Sequence, residues 1–346
     1  MPRRSYGRFD DRPHDYDAVL YLSFGGPEAP EHVIPFLERV TRGRNVPRAR
    51  LDEVAEHYHL FGGVSPLNAH NRAVIAALRE ELANRGPDLP VYWGNRNWHP
   101  LLGDTVRRMR DDGVRRAVCF ITSAYSSYSS CRQYREDIAR ARAEVGADAP
   151  QIDPIRPFYN HPGFIESQAR KVNVALHAIP DHRRAAAHLT FTAHSIPVTL
   201  AEASDYQDQL QEACSLVAGR VGGDHPWALV WQSRSGPPEV PWLEPDIIDH
   251  LDSLHAADIT DVVIVPIGFV SDHLEVRFDL DVEAAAHAAS LGLQRVRADT
   301  VGADPTYVRM IRDLIVERSA AQPHRPALGV LGPCHDVCGT GCCVPT

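Results

Sequence analysis

The chain has 346 residues, 44% of them hydrophobic and 23% charged, which is length enough for two domains of ordinary size and excludes a disordered polymer. Its formal net charge is −9 and its arginines are dispersed instead of gathered in a stripe, so the electrostatic footprint of nucleic-acid binding is missing. A small molecule or a metal cation is the expected partner.

The N-terminal stretch "MPRRSYGRFDDRPHDYD" has two adjacent arginines with no apolar run behind them. It reads as a short disordered tail over residues 1–15, neither a secretory signal nor a twin-arginine leader. Nothing in the chain approaches the roughly 18 to 20 consecutive apolar residues of a membrane span, so a soluble, cytoplasmic protein is expected. In that reducing compartment the seven cysteines are buried hydrophobes or metal ligands.

From residue 18 onward, apolar β-branched runs recur at 18–24, 91–95, 117–124, 189–195, 228–233 and 262–269, with amphipathic helical segments such as 70–85 between them. This rhythm predicts an α/β fold of parallel sheets covered by helices on both faces. The proline-marked segment "PIRPFYNHPGF" at 154–164 divides the strands into two groups. Two doubly wound domains are expected, over 16–160 and 161–303, with a ligand cleft between them. Residues 304–322 are expected as a helix packing back on the first domain, and 323–346 form a cysteine-rich tail.

Functional groups in open parallel sheets collect at the carboxyl ends of strands. "GGPEAP" follows the first strand, "YSSYSSCRQY" the third, His194 closes the fourth, "RSGPP" follows the fifth and "SDHLEVRFDLDVEAAA" the last. In that last segment Glu275, Asp279 and Glu283 stand four apart. On a helix they form a ladder about 12 Å long on one face. A solvated helix face is the ordinary explanation of such a pattern, but no Lys or Arg stands at the i+4 positions and the ladder begins at the ligand side of a strand. A line of hard oxygen donors can hold or pass a divalent cation and relay protons.

His194 offers an imidazole base at a strand end. Arg42, Arg44 and Ser65, in the loop "TRGRNVPRARLDEVAEHYHLFGGVSPLNAHNR", are candidate partners for carboxylates of an anionic ligand. The "GGP" turn lacks both G-x-G-x-x-G and a P-loop lysine, which argues against nucleotide binding. The tail "GPCHDVCGTGCCVPT" places Cys334, Cys338, Cys342 and Cys343 close together without the paired C-x2-C knuckles of structural zinc, a pattern suited to an iron–sulfur cluster. Cys119 and Cys214 read as inert core residues, and Cys131 is open between the two roles. Asp272, His273 and Asp281 read as structural.

The segments "YLSFGGPE", "FGGVSPLNAHNR", "GNRNW", "FTAHSIP", "WQSRSGPPEVPWLEPD" and "PIGFVSDHLEVRFDLDVE" together resemble the ferrochelatases, in that order, from about residue 16 to 320. The coproporphyrin-using bacterial branch is the most similar, and the cysteine tail resembles its actinobacterial, cluster-containing members. The resemblance implies two similar Rossmann-like domains around a porphyrin cleft, and insertion of Fe2+ into a free-base macrocycle, coproporphyrin III being the expected substrate.

It further implies that His194 accepts pyrrole protons and that Glu275 is its metal and proton partner. Asp279 and Glu283 continue the metal line on a widened, π-type helical turn. Phe24, Arg42, Ser65, Tyr125 and Tyr134 are the implied substrate contacts. Phe24 stands where some relatives carry an iron-facing tyrosine. A [2Fe-2S] cluster is implied; Ser167 stands where such relatives carry a body cysteine, so the four tail cysteines are expected to supply all its ligands. A monomer is expected. The rival readings are a protoporphyrin ferrochelatase, a cobalt or nickel chelatase, and a non-catalytic haem-binding or iron–sulfur redox sensor.

Overall fold

A computed structural model describes residues 7–322 and 324–344 of the chain. Strand β1 (Gly7–Arg8) precedes a four-stranded parallel sheet made of β2 (Ala18–Ser23), β3 (Val91–Asn95), β4 (Arg116–Ile121) and β5 (Gln151–Pro154), in the order β3-β2-β4-β5. A second parallel sheet repeats the plan with β6 (His188–His194), β7 (Trp227–Gln232), β8 (Asp261–Val265) and β9 (Gln294–Arg297), ordered β7-β6-β8-β9. In both, the first strand of the half lies between the second and the third. That reversal of strand order is the switch point at which open α/β sheets bind ligands.

The six apolar runs became the six inner or longer strands. Every residue of β2 and β8 is buried, as expected of strands covered by helices on both faces. The two shorter edge strands, "QIDP" and "QRVR", carry no apolar run. They are held by register against β4 and β8 respectively.

The joint between the halves is a packed block. Phe120 of β4 stacks on Phe158 at 5.1 Å between ring centres, and Phe158 meets Phe164 edge-to-face at 5.6 Å. Tyr307, from the helix Pro305–Ala320, closes the group. That helix also packs on the helix Leu67–Arg85 and on β4 of the first sheet. Beneath it, Arg156 (1% exposed) makes a two-pronged pair with Glu317 (5% exposed), at 2.7 and 2.9 Å. Arg325 adds contacts to Glu317 at 3.4 Å and to Asp336 at 2.6 Å.

Residues 7–15, expected to be a loose tail, are docked. β1 pairs antiparallel with β10 (Val337–Cys338), and Asp10 lies between His14 at 2.7 Å and Arg318 at 3.1 Å. Asp10 is thereby held in an ion pair with the helix Pro305–Ala320. The last segment is likewise tied down, with Glu212 accepting from the amides of Val330 and Leu331, and Asn160 donating to the carbonyls of Leu328 and Gly332. Residues 1–6, 323 and 345–346 lie outside the described residues.

Candidate active site

His194 ends β6, the strand beside the second sheet's switch point, and the loop leaving β8 carries Glu275 to the same place. Gly268 makes that crossing possible. Its amide donates to the Thr192 carbonyl at 3.1 Å, and a Cβ there would stand 2.7 Å from that of Ala193. The His194 Nδ1 is in hydrogen-bond contact with the Ser195 carbonyl, which can only accept. Nδ1 therefore carries the proton, and Nε2 is left as the basic nitrogen, 3.8 Å from a carboxylate oxygen of Glu275.

Glu275 has 51% of its side chain exposed, open to an incoming ligand. Its amide donates to His273 Nδ1 at 3.2 Å, and its carboxylate lies 3.9 Å from the same nitrogen. Burial lowers the His273 pKa, which keeps that imidazole neutral and able to accept.

A π-helix runs over Val276–Glu283, widening the turn on which the other two carboxylates stand. Asp279 accepts from the Ser233 hydroxyl and, at 3.3 Å, from Gln232 Nε2. Burial first, then the charges of Glu275 and Glu283, push its pKa up to about 7. Burial also raises Glu283, with His57 opposing the shift and Asp246 adding to it. Asp279 thus senses the carboxylates on either side of it along one wall.

The first half closes over this wall with the helix Arg48–His59. His57 stacks flat on Phe278 at 3.7 Å, and Arg277 lies 5.6 Å over the Phe61 ring. Buried Tyr58 has its phenol pKa raised, chiefly by burial and further by Glu275. Leu274 packs into the apolar group of Val33, Phe36, Leu51, Tyr58 and Trp98, with half-buried Phe24 at its edge.

Of the other expected contacts, Arg42 and Arg44 are exposed on the lip. Ser65 is buried; its amide donates to the Pro27 carbonyl at 2.8 Å and its hydroxyl accepts from Leu67 at 3.4 Å. Tyr125 is buried between the sheets, donating to the Ile267 carbonyl at 3.0 Å. Tyr134 is buried beneath the Arg96 guanidinium, 4.5 Å from its ring. So His194, Glu275, Asp279 and Glu283 share one wall, whereas Ser65, Tyr125 and Tyr134 have hydroxyls enclosed in the fold. His57, Tyr58, Gln232 and Ser233 join the site without having been singled out, and His273, expected to be structural, stands beside Glu275. The signals available were "HYH" in a basic loop and two polar residues at the end of "ALVWQS".

The family model described as Ferrochelatase matches residues 16–319. The chain belongs to the ferrochelatase family. It is accordingly a metal chelatase of the lyase class, in haem biosynthesis, which agrees with the metal insertion that the resemblance implied. It is 51% identical to the coproporphyrin III ferrochelatase of Streptomyces griseus, covering 96% of this chain and 94% of that one. Identity to the Streptomyces coelicolor protein of the same name is 52%, covering 95% and 93%. The Rhodopirellula baltica protein named ferrochelatase is 52% identical, covering 96% and 94%. Among solved structures, SirB from Bacillus subtilis with Fe3+ superposes with a TM-score of 0.57 at 11% identity, covering 88% of this chain and 96% of that one, a likeness of fold. No helix of the described residues is long and apolar enough to cross a membrane.

A second group of ligand-type side chains lies in this ferrochelatase-family chain away from the carboxylate wall. His335, Cys338 and Cys342 bring their donor atoms within 4.8 Å of one another, with His335 Nε2 3.3 Å from the Cys338 sulfur. The sulfurs of Cys342 and Cys343 are 3.7 Å apart. The thiol of Cys131 meets that of Cys343, which lowers the Cys131 pKa. Hydrogen bonds from Cys338 and Cys343 lower Cys342 in the same way. Arg132 fastens the tail here, donating to the carbonyls of Thr340 at 2.7 Å and Cys342 at 3.0 Å.

Cys334 instead lies beside Gln209 Nε2, at 3.6 Å. Ser167 is occupied elsewhere, donating to the Gly163 carbonyl and the Asp304 carboxylate at 2.8 and 3.0 Å. The body of the fold thus contributes Cys131 to the sulfur group. Cys119 and Cys214 are fully buried with thiol pKa values raised by burial, as inert core residues should be.

Proposed function

We propose that the chain inserts Fe2+ into coproporphyrin III, with His194 and Glu275 as the reacting pair. The observation that carries this is the open 3.8 Å approach of the His194 basic nitrogen to a carboxylate at a switch point, continued outward by Asp279 and Glu283. The names of the actinobacterial relatives support coproporphyrin III as the macrocycle.

Insertion of a divalent cation releases two pyrrole protons, so a base must stand beside the group that delivers the metal. His194 Nε2, its tautomer fixed by Ser195, accepts the two protons one after the other, each passing on through Glu275 to solvent, and Glu275 hands over the cation. Glu283 and Asp279 carry Fe2+ inward from solvent. Asp279, poised near neutrality, can exchange a proton for the metal at little cost. Arg42 and Arg44, exposed and without a carboxylate partner among the described residues, receive propionates. Phe24 and the apolar group around Trp98 offer a surface for the ring. Ser65, Tyr125 and Tyr134, expected as substrate contacts, are buried, so we assign them to the support of the cleft wall and not to direct contact through their hydroxyls. Anaerobic assays with Fe2+ and each of coproporphyrin III and protoporphyrin IX test the reading. Faster turnover with protoporphyrin, or with Co2+ or Ni2+ on another tetrapyrrole, would overturn the substrate assignment. Porphyrin binding without metallation would favour a carrier.

We infer also that Cys131, Cys338, Cys342 and Cys343 hold a [2Fe-2S] cluster, with His335 beside it. Four sulfur donors drawn together, with Cys334 turned to Gln209, support this set over four tail cysteines. Such a cluster would supply one-electron chemistry and tie the tail to the first half. Iron and sulfide analysis decides: Cys131→Ser should lose the cluster and Cys334→Ser keep it.

A further inference from the structure

Ser233 is the first residue after β7 and has a backbone φ of 62°, in the left-handed region that favours glycine. Ala321 shares that conformation as the C-cap of the helix Pro305–Ala320, where it is ordinary. Ser233 caps no helix. Its hydroxyl donates to Oδ2 of Asp279, and Gln232 Nε2 reaches the same oxygen at 3.3 Å. Two donors on one oxygen fix the carboxylate's rotation and leave Oδ1 for a cation. The clamp is also in register with the base: Gln232 is the strand partner of His194, and its carbonyl accepts from the Ser195 amide at 2.8 Å. One strand end therefore fixes Asp279 relative to His194.

We propose that Ser233 is a positioning residue for iron delivery, its left-handed backbone aiming the hydroxyl so that Asp279 presents Oδ1 to Fe2+ on the way to Glu275. A strained non-glycine backbone at a site persists when the surrounding contacts demand it, and here the demand is the bond to Asp279. The inference rests on the reading of Asp279 as a metal carrier.

The test compares Ser233→Gly, Ser233→Asn and Asp279→Ala in the full-length protein, by thermal midpoint and by anaerobic kinetics varying Fe2+ and coproporphyrin III separately. Ser233→Gly relieves the backbone and removes the donor. It should raise the thermal midpoint while raising the KM for Fe2+ about tenfold, with a smaller change in kcat and none in the KM for the porphyrin. Ser233→Asn tolerates the left-handed backbone and restores a donor, so it should recover most of the iron KM. An unchanged iron KM in Ser233→Gly, with a raised one in Asp279→Ala, would overturn the role of Ser233 and leave the carboxylate line standing. Equal rises in both substrates' KM, or no rescue by Asn, would also overturn it. An unchanged iron KM in Asp279→Ala would overturn the line and this inference together.

Discussion

The two halves have the same strand order, yet they place different chemistry at equivalent positions. β2 ends in Ser23 and runs into Phe24 and two glycines, whereas β6 ends in His194. The loop after β4 leads to buried Tyr125, whereas the loop after β8 leads to exposed Glu275. The fold supplies two switch points, and it is the second that sets an imidazole, His194, 3.8 Å from an open carboxylate, Glu275. The first half contributes shape, through the apolar group around Phe36 and Trp98 and the lip helix that stacks His57 on Phe278. Fold alone therefore does not locate the chemistry; the side chains at the strand ends do.

The comparison breaks most visibly at the pair itself. Removing a general base typically costs about 10²- to 10⁴-fold in rate, so His194→Ala should lose that much insertion activity in anaerobic turnover, whereas Phe24→Ala should act mainly on the porphyrin KM. The joint that keeps the halves in register comes next. Glu317→Ala strands the buried Arg156 charge and should cost about 3 to 5 kcal/mol in denaturant unfolding.

Asp279 gives a pH test with a definite sign. Its carboxyl, at about 7 in the fold against an ordinary 3.8, holds its proton at acid pH and loses it on passing neutrality. The KM for Fe2+ should therefore fall as pH rises through about 7, and Asp279→Asn should flatten that dependence. Because the folded value is raised, the stability linked to this group is full below about 4 and is lost as pH climbs through 7. Asp279→Asn should accordingly gain in relative thermal stability at pH 8 over pH 4. The smallest effect belongs to the lip: His57→Ala removes one stacked ring and should cost about 0.5 to 1.5 kcal/mol, with a modest rise in iron KM.

Much of this was legible in the sequence because the signals were local. Continuous apolar strands and the four-residue spacing of carboxylates can be read within a short window. The edge strands "QIDP" and "QRVR" could not, since they are short, partly exposed and fixed by pairing with β4 and β8. The widened turn over Val276–Glu283 is a backbone choice that the spacing of Glu275, Asp279 and Glu283 does not reveal; the family resemblance supplied it. Cys131 stayed ambiguous because its partner Cys343 is brought to it by the tail's return across the first half. Ser233 escaped notice and His273 was read as structural for a similar reason, their roles being contacts to Asp279 and Glu275 rather than sequence patterns.

The most direct measurement is anaerobic single-turnover insertion of Fe2+ into bound coproporphyrin III by Glu275→Gln and His194→Ala, with porphyrin affinity measured in parallel by fluorescence quenching. The account predicts that both variants bind the porphyrin within a few-fold of the parent and fail to metallate it. Metallation at a near-parental rate by either variant would contradict the assignment of that residue to the reacting pair.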